Sequence, residues 1–102
     1  MKPDQPSEIV RRLRCAAGHL NAVIEMAESG QPCEQVLHQI NAVQAALRAT
    51  MTRLLVCQSQ SSETIILDSP SPKERLAELK RLQSLYMLFV QYPNHHNEVS
   101  HD

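Results

Sequence analysis

Along the chain, stripe positions recur in steps of three and four. From Pro32 to Cys57 they fall at Val36/Leu37, Ile40, Val43, Leu47, Thr50/Met51 and Leu54. Such steps keep one stripe on one side of a helix. Neither Gly nor Pro interrupts the stretch after Pro32, and its Ala, Gln, Leu and Arg favour helix. Its 26 residues would span roughly 39 Å at the helical rise. An earlier stripe, Ile9/Val10, Leu13, Ala16/Ala17, Leu20, Val23/Ile24 and Ala27, predicts a first helix over residues 8–29. Ser7 is placed to cap it, Glu8 complements its dipole, and Gly30 supplies the left-handed stop. Pro32 suits the first position of the next helix, so Gln31 alone links the two into an antiparallel hairpin.

The second helix is expected over 32–62. Its end is longer than the first helix can cover, which points to a second copy of the chain as the cover for Met51, Leu54 and Leu55. The polar stretch Gln58 to Glu63 reads as frayed helix or linker. Thr64-Ile65-Ile66-Leu67 reads as a last helical turn or a strand-like bridge. After the Asp68-Ser69-Pro70 break, Ser71-Pro72-Lys73-Glu74 is a capping box with Pro in the first helical position. The third helix should run over 72–91, stopped by Pro93. Its stripe begins at Leu76, Leu79 and Leu82, and Leu85 to Val90 is apolar all round. A helix end of that kind is buried on more than one side, which suggests a further subunit contact. Residues 1–6 and 93–102 read as flexible termini, so the chain is taken as one helical domain.

Composition supports an all-α fold. Two glycines leave few sharp turns, strict polar–apolar alternation is absent, and with 3% aromatics and no Trp the core must be aliphatic. At 102 residues the chain sits near the lower limit for a well-buried core. No apolar run approaches ~18 residues and no apolar leader segment is visible, so the expectation is a cytoplasmic protein without a membrane partner. Three cysteines, an odd number, then imply free thiols.

Net charge is −1, which gives no global pull toward nucleic acid, but its distribution is uneven. Residues 1–60 hold six Lys/Arg and five Asp/Glu; residues 61–102 hold four and six. Arg11, Arg12 and Arg14 lie within four positions, a cluster that composition alone reads as a solvated helix face. No nucleophile–base or acid–base constellation marks an enzyme.

Several segments resemble one family. Arg12-Leu13-Arg14, Gly18-His19-Leu20-Asn21-Ala22-Val23, then Gly30-x-x-Cys33 and Val36 through Leu47 are similar to the CsoR/RcnR/FrmR repressors, over about residues 8–57. These bacterial repressors sense copper, nickel or cobalt, or formaldehyde. Where the family has Arg-Gly-Gln in the first helix, this chain has Ala17-Gly18-His19. The resemblance implies a three-helix protomer, an antiparallel four-helix-bundle dimer and a dimer of dimers that binds duplex DNA as a repressor. It implies DNA contacts from Arg12 and Arg14, with Arg48 and Arg53 on the long helix. A non-DNA-binding helical assembly or adaptor on the same scaffold is the alternative.

The resemblance also implies a sensor shared between subunits. A Cys at the start of one long helix meets a His, and a His or Cys four residues later, near the end of the partner's. That Cys is Cys33, but the other two positions hold Gln58 and Ser62, which are not usual ligands. A transition-metal site is therefore incomplete and the cofactor stays open. Cys57, one residue before the expected His, would serve as a second thiol or as a buried structural one. His38 lies five residues after Cys33, about 140° round the helix. The Cys15/His19 pair has i, i+4 ligand spacing, and His95, His96 and His101 sit in the tail. Cys33 itself lies in a first helical turn, where free N–H groups and the helix dipole favour an anionic sulfur able to react with aldehydes or electrophiles. An amino-terminal Pro as its partner is missing, since Pro3 follows Met1-Lys2.

Overall fold

Three helices in sequence order make up a computed structural model that describes residues 5–91. They are α1 (Gln5–Glu28), α2 (Cys33–Asp68) and α3 (Pro72–Gln91), with no strand among the described residues. The expectations placed on Met1 to Pro3 and on the histidine-bearing tail lie outside that range. The chain divides into two compact units, Met1–Leu54 and Leu55–Asp102.

In the first unit, α1 begins earlier than the predicted Ser7 cap, so that Pro6 and Ser7 already lie in the first turn. Proline is tolerated there because a first-turn N–H has no helical partner. The other end closes as a Schellman turn. Gly30 takes φ of 76°, its N–H reaches the Ala27 carbonyl at 3.2 Å, and Gln31 N–H reaches the Met26 carbonyl at 3.0 Å. Pro32 is a cap rather than the first helical residue: its carbonyl accepts from Val36 N–H at 3.2 Å, which makes Cys33 the first residue of α2.

The predicted first stripe resolves into two adjacent ones. Ile9, Ala16 and Val23 are buried, with Arg12, His19 and Met26 half-buried between them; on α2, Val43 and Thr50 are buried and Val36 and Gln39 half-buried. Steps of three and four place each set on one helix face. One position further round run Val10, Leu13, Leu20 and Ile24 on α1, and Leu37, Ile40, Leu47, Met51 and Leu54 on α2. These are all between 37% and 56% exposed. The hairpin thus buries its smaller side chains and leaves its larger ones outside.

In the second unit, α2 continues through the polar stretch and through Thr64–Leu67 to Asp68, beyond the expected end at 62. Leu55, Cys57, Gln58, Ser59, Ser62, Ile65 and Ile66 are its covered positions. On α3 the covered positions are Arg75, Glu78, Leu82, Leu85 and Phe89, again in steps of three and four. The all-round apolar end of α3 is half-buried only at Leu85 and Phe89; Tyr86, Met87, Leu88 and Val90 are exposed. The predicted capping box is present with a relay. Glu74 N–H reaches Ser71 Oγ at 3.2 Å, while Ser71 N–H donates to Ser69 Oγ, which in turn donates to Glu74 Oε1. Arg75 also donates to the Ser69 carbonyl, covering one of the free acceptors at the end of α2. No helix among the described residues is long and apolar enough to cross a membrane.

Candidate functional site

Two groups of side chains are candidates for function, one in each unit. The first is the arginine set of the hairpin. Residues 5–54 contain Arg11, Arg12, Arg14, Arg48 and Arg53 and the acids Glu8, Glu25, Glu28 and Glu34. An antiparallel hairpin that turns at Gly30 puts all five arginines, with Glu8, toward its open end. Glu25, Glu28 and Glu34 flank the turn. A contact between His19 Nε2 and Gln39 Oε1 at 2.7 Å fixes the register of the two helices. The open end therefore carries five positive groups against one negative, and the turn end three negative, even though the unit is close to neutral as a whole.

Within the set the arginines differ. Glu8 accepts from Arg11 at 2.8 Å and from Arg12 at 3.0 Å, and Arg12 is half-buried. The hydrogen bond from Arg11, ahead of its charge and of the Arg12 contacts, holds the Glu8 carboxyl below its ordinary value. The same pairing raises Arg11. Arg48 is half-buried and partnered. Arg14 and Arg53 are exposed and pair with no acid among the described residues. Of the four arginines singled out from sequence, these two present an uncommitted charge.

The second group lies in the other unit, at the positions where sensor ligands were sought. Gln58 Nε2 donates to Ser62 Oγ at 3.0 Å, across one turn of α2. Ser62 Oγ donates to Glu78 Oε2 on α3 at 2.6 Å, and Arg81 meets the same carboxylate oxygen at 3.2 Å. Ser62 is fully buried, with 0% exposure, and Glu78 retains 15% of its side-chain surface. Gln58 and Ser62 are thus brought together, but with each other and with a glutamate. Sequence reasoning did not name Glu78 or Arg81. The signal for Glu78 was available, because it falls on the same three-and-four spacing as Leu82, Leu85 and Phe89.

The hydrogen bonds of this group include no thiol. Cys15 and Cys33 are exposed, Cys57 is half-buried, and all three are free. In the sequence Cys57 follows Val36, Val43 and Thr50 at steps of seven. His38 is exposed. His19 of the Cys15/His19 pair is engaged by Gln39 through Nε2. Among the described residues, no three of His, Cys, Asp and Glu come together as a metal-holding group.

A shared metal site built on the expected positions would draw on the Cys33 thiolate, the Gln58 amide and the Ser62 hydroxyl. One soft donor with two neutral oxygen donors does not suit copper or nickel. The Ser62 hydroxyl is moreover already bonded on both sides. The residues present do not fit the metal.

No curated protein and no solved structure matches the chain. A family model described as "Metal-sensitive transcriptional repressor" matches residues 5–84, which takes in α1, α2 and α3 as far as Ser84. By that match, over most of its length, the chain belongs to the metal-sensitive transcriptional repressor family.

Proposed function

We propose that the protein is a DNA-binding transcriptional repressor acting as an antiparallel four-helix-bundle dimer, paired into a dimer of dimers. The observation that carries this reading is the segregation of charge in the hairpin. All five arginines gather toward one end, and Arg14 and Arg53 there are exposed and unpaired among the described residues. A positive end on a near-neutral protein gives local attraction to phosphate without general stickiness. The uncovered stripe from Val10 to Leu54 supports self-association, since burying a Leu, Ile or Val side chain fully contributes roughly 1.5–3 kcal/mol. Cys33, exposed at the first position of α2, is the thiol proposed to meet the inducer, with Cys57 and His38 as secondary participants.

Anisotropy titrations of the reduced protein on duplex from its own promoter, over a series of salt concentrations, test this reading. The logarithm of the association constant should fall linearly with log salt, with a slope of about −0.9 per phosphate neutralised. Arg14→Ala and Arg53→Ala should each weaken binding and flatten that slope, and Arg12→Ala should act less because its guanidinium is held by Glu8. Absence of duplex binding at low salt overturns the proposal. It would favour the second reading, a helical adaptor, for which the one specific observation is that Glu8 already engages two of the five guanidinium groups.

A further inference from the structure

Glu78 carries the strongest clue beyond DNA binding. It is a mostly covered carboxylate on the inward face of α3, and it accepts from Ser62, which in turn accepts from Gln58; these two residues stand where the family resemblance implies metal ligands. Ser62 uses both capacities of its hydroxyl, accepting from Gln58 and donating to Glu78, with no surface left to solvent. Among the described residues no buried side-chain polar atom lacks a partner, and the Ser62 hydroxyl has both its donor and its acceptor role filled. A hydroxyl bonded to an ionised carboxylate is among the stronger neutral-to-charged hydrogen bonds, and its length of 2.6 Å agrees.

We infer that Gln58, Ser62 and Glu78 form a permanent hydrogen-bonded tie between the end of α2 and α3 in place of a metal site. Its members at positions 58 and 62 are a neutral amide and a hydroxyl already bonded on both sides, so copper and nickel do not act on this protein through these positions. A metal-binding member would instead need an imidazole or thiolate at both positions, with Cys33 of a second copy as the third donor. The inference rests on the antiparallel assembly proposed above only for that third donor. The tie and the chemistry of its donors are properties of one chain.

Equilibrium dialysis of the reduced full chain against Cu(I) and against Ni(II) is the first arm. The wild type should retain no stoichiometric ion that depends on Gln58 or Ser62. Retention of such an ion, lost in Gln58→Ala or Ser62→Ala, overturns the inference. The second arm is restorative. The double variant Gln58→His with Ser62→Cys should gain stoichiometric metal, and adding Cys33→Ala should abolish it. Sedimentation of the same samples separates two failures. A folded dimer that gains no metal refutes the placement of ligand positions at 58 and 62. A monomer that gains none refutes the assembly, and the first arm still decides the inference. The third arm reads the tie itself. Ser62→Ala and Glu78→Ala should each lower the thermal midpoint, with Glu78→Gln lowering it less because an acceptor oxygen remains. An unchanged or raised midpoint in both alanine variants overturns the tie.

Discussion

His19 on α1 donates through Nε2 to Gln39 Oε1 on α2 at 2.7 Å, which makes one polar pair span the seam of the hairpin. Around it the seam is thin, with Ala16 and Val23 on one side and Val43 on the other. Both partners are half-buried, so the bond is worth about 1 kcal/mol net. His19→Ala and Gln39→Ala should each lower stability by about that amount, and the double variant should lose less than the sum. Urea unfolding at one fixed protein concentration measures this, because self-association would otherwise shift the midpoint. Additive losses would mean that the pair contributes no coupling.

The two glycines should respond in opposite directions. Gly30 sits at φ 76° in the Schellman turn, where an L side chain costs roughly 1–2 kcal/mol. Gly18 lies inside α1, and a methyl group added to it would meet nothing within 4 Å, so Ala there should add roughly 0.5–1 kcal/mol through helix propensity. Paired thermal melts of Gly30→Ala and Gly18→Ala check both signs. A destabilised Gly18→Ala would show that another chain approaches α1 closely at that residue.

What sequence could and could not reveal follows from the range of each interaction. The Gly30 stop and the Ser71–Glu74 cap are local, set by backbone geometry within a few residues, and both were legible. The extension of α2 to Asp68 was not. Gln58 to Ser62 looks like linker because serine and glutamine favour no buried face, and only Glu78, sixteen residues from Ser62, gives that hydroxyl a reason to be inside. The stripes show the same limit. Periodicity located the apolar side of α1 but did not separate Ile9, Ala16 and Val23, which are buried, from Val10, Leu13, Leu20 and Ile24, which are exposed. Candidate DNA contacts were legible as residue types, whereas the engagement of Arg12 by Glu8 needed side-chain positions.

Glu8 makes a pH prediction with a definite sign. Its carboxyl is held below the ordinary value of 4.5, first by the hydrogen bond from Arg11. A group whose folded value is lowered stabilises the fold above its unfolded value, and that contribution is lost as pH falls through the lowered folded value. The loss should therefore fall in the acid range beneath 4.5, with no effect near neutrality. Carboxyl-detected NMR titration should place the Glu8 midpoint below the ordinary 4.5. Arg11→Ala should move it upward. An unmoved midpoint would assign the shift elsewhere.

The uncovered stripe makes the last prediction. Leu20 on α1 and Leu47 on α2 lie on the outward faces of the hairpin, 46% and 39% exposed, in line with Val10, Leu13, Ile24, Ile40 and Leu54. An exposed apolar stripe of this kind is the surface that the proposed association of copies would cover. A carboxylate placed within it would be desolvated without a partner on assembly, at a cost of several kcal/mol. Leu20→Glu and Leu47→Glu should each shift the sedimentation coefficient from the assembled toward the single-chain value. Asn21→Glu, also at an exposed position but one residue round α1, adds the same charge off the stripe and should leave assembly unchanged. If all three variants sediment alike, the stripe is not where copies of the chain meet, and the antiparallel dimer proposed from it fails.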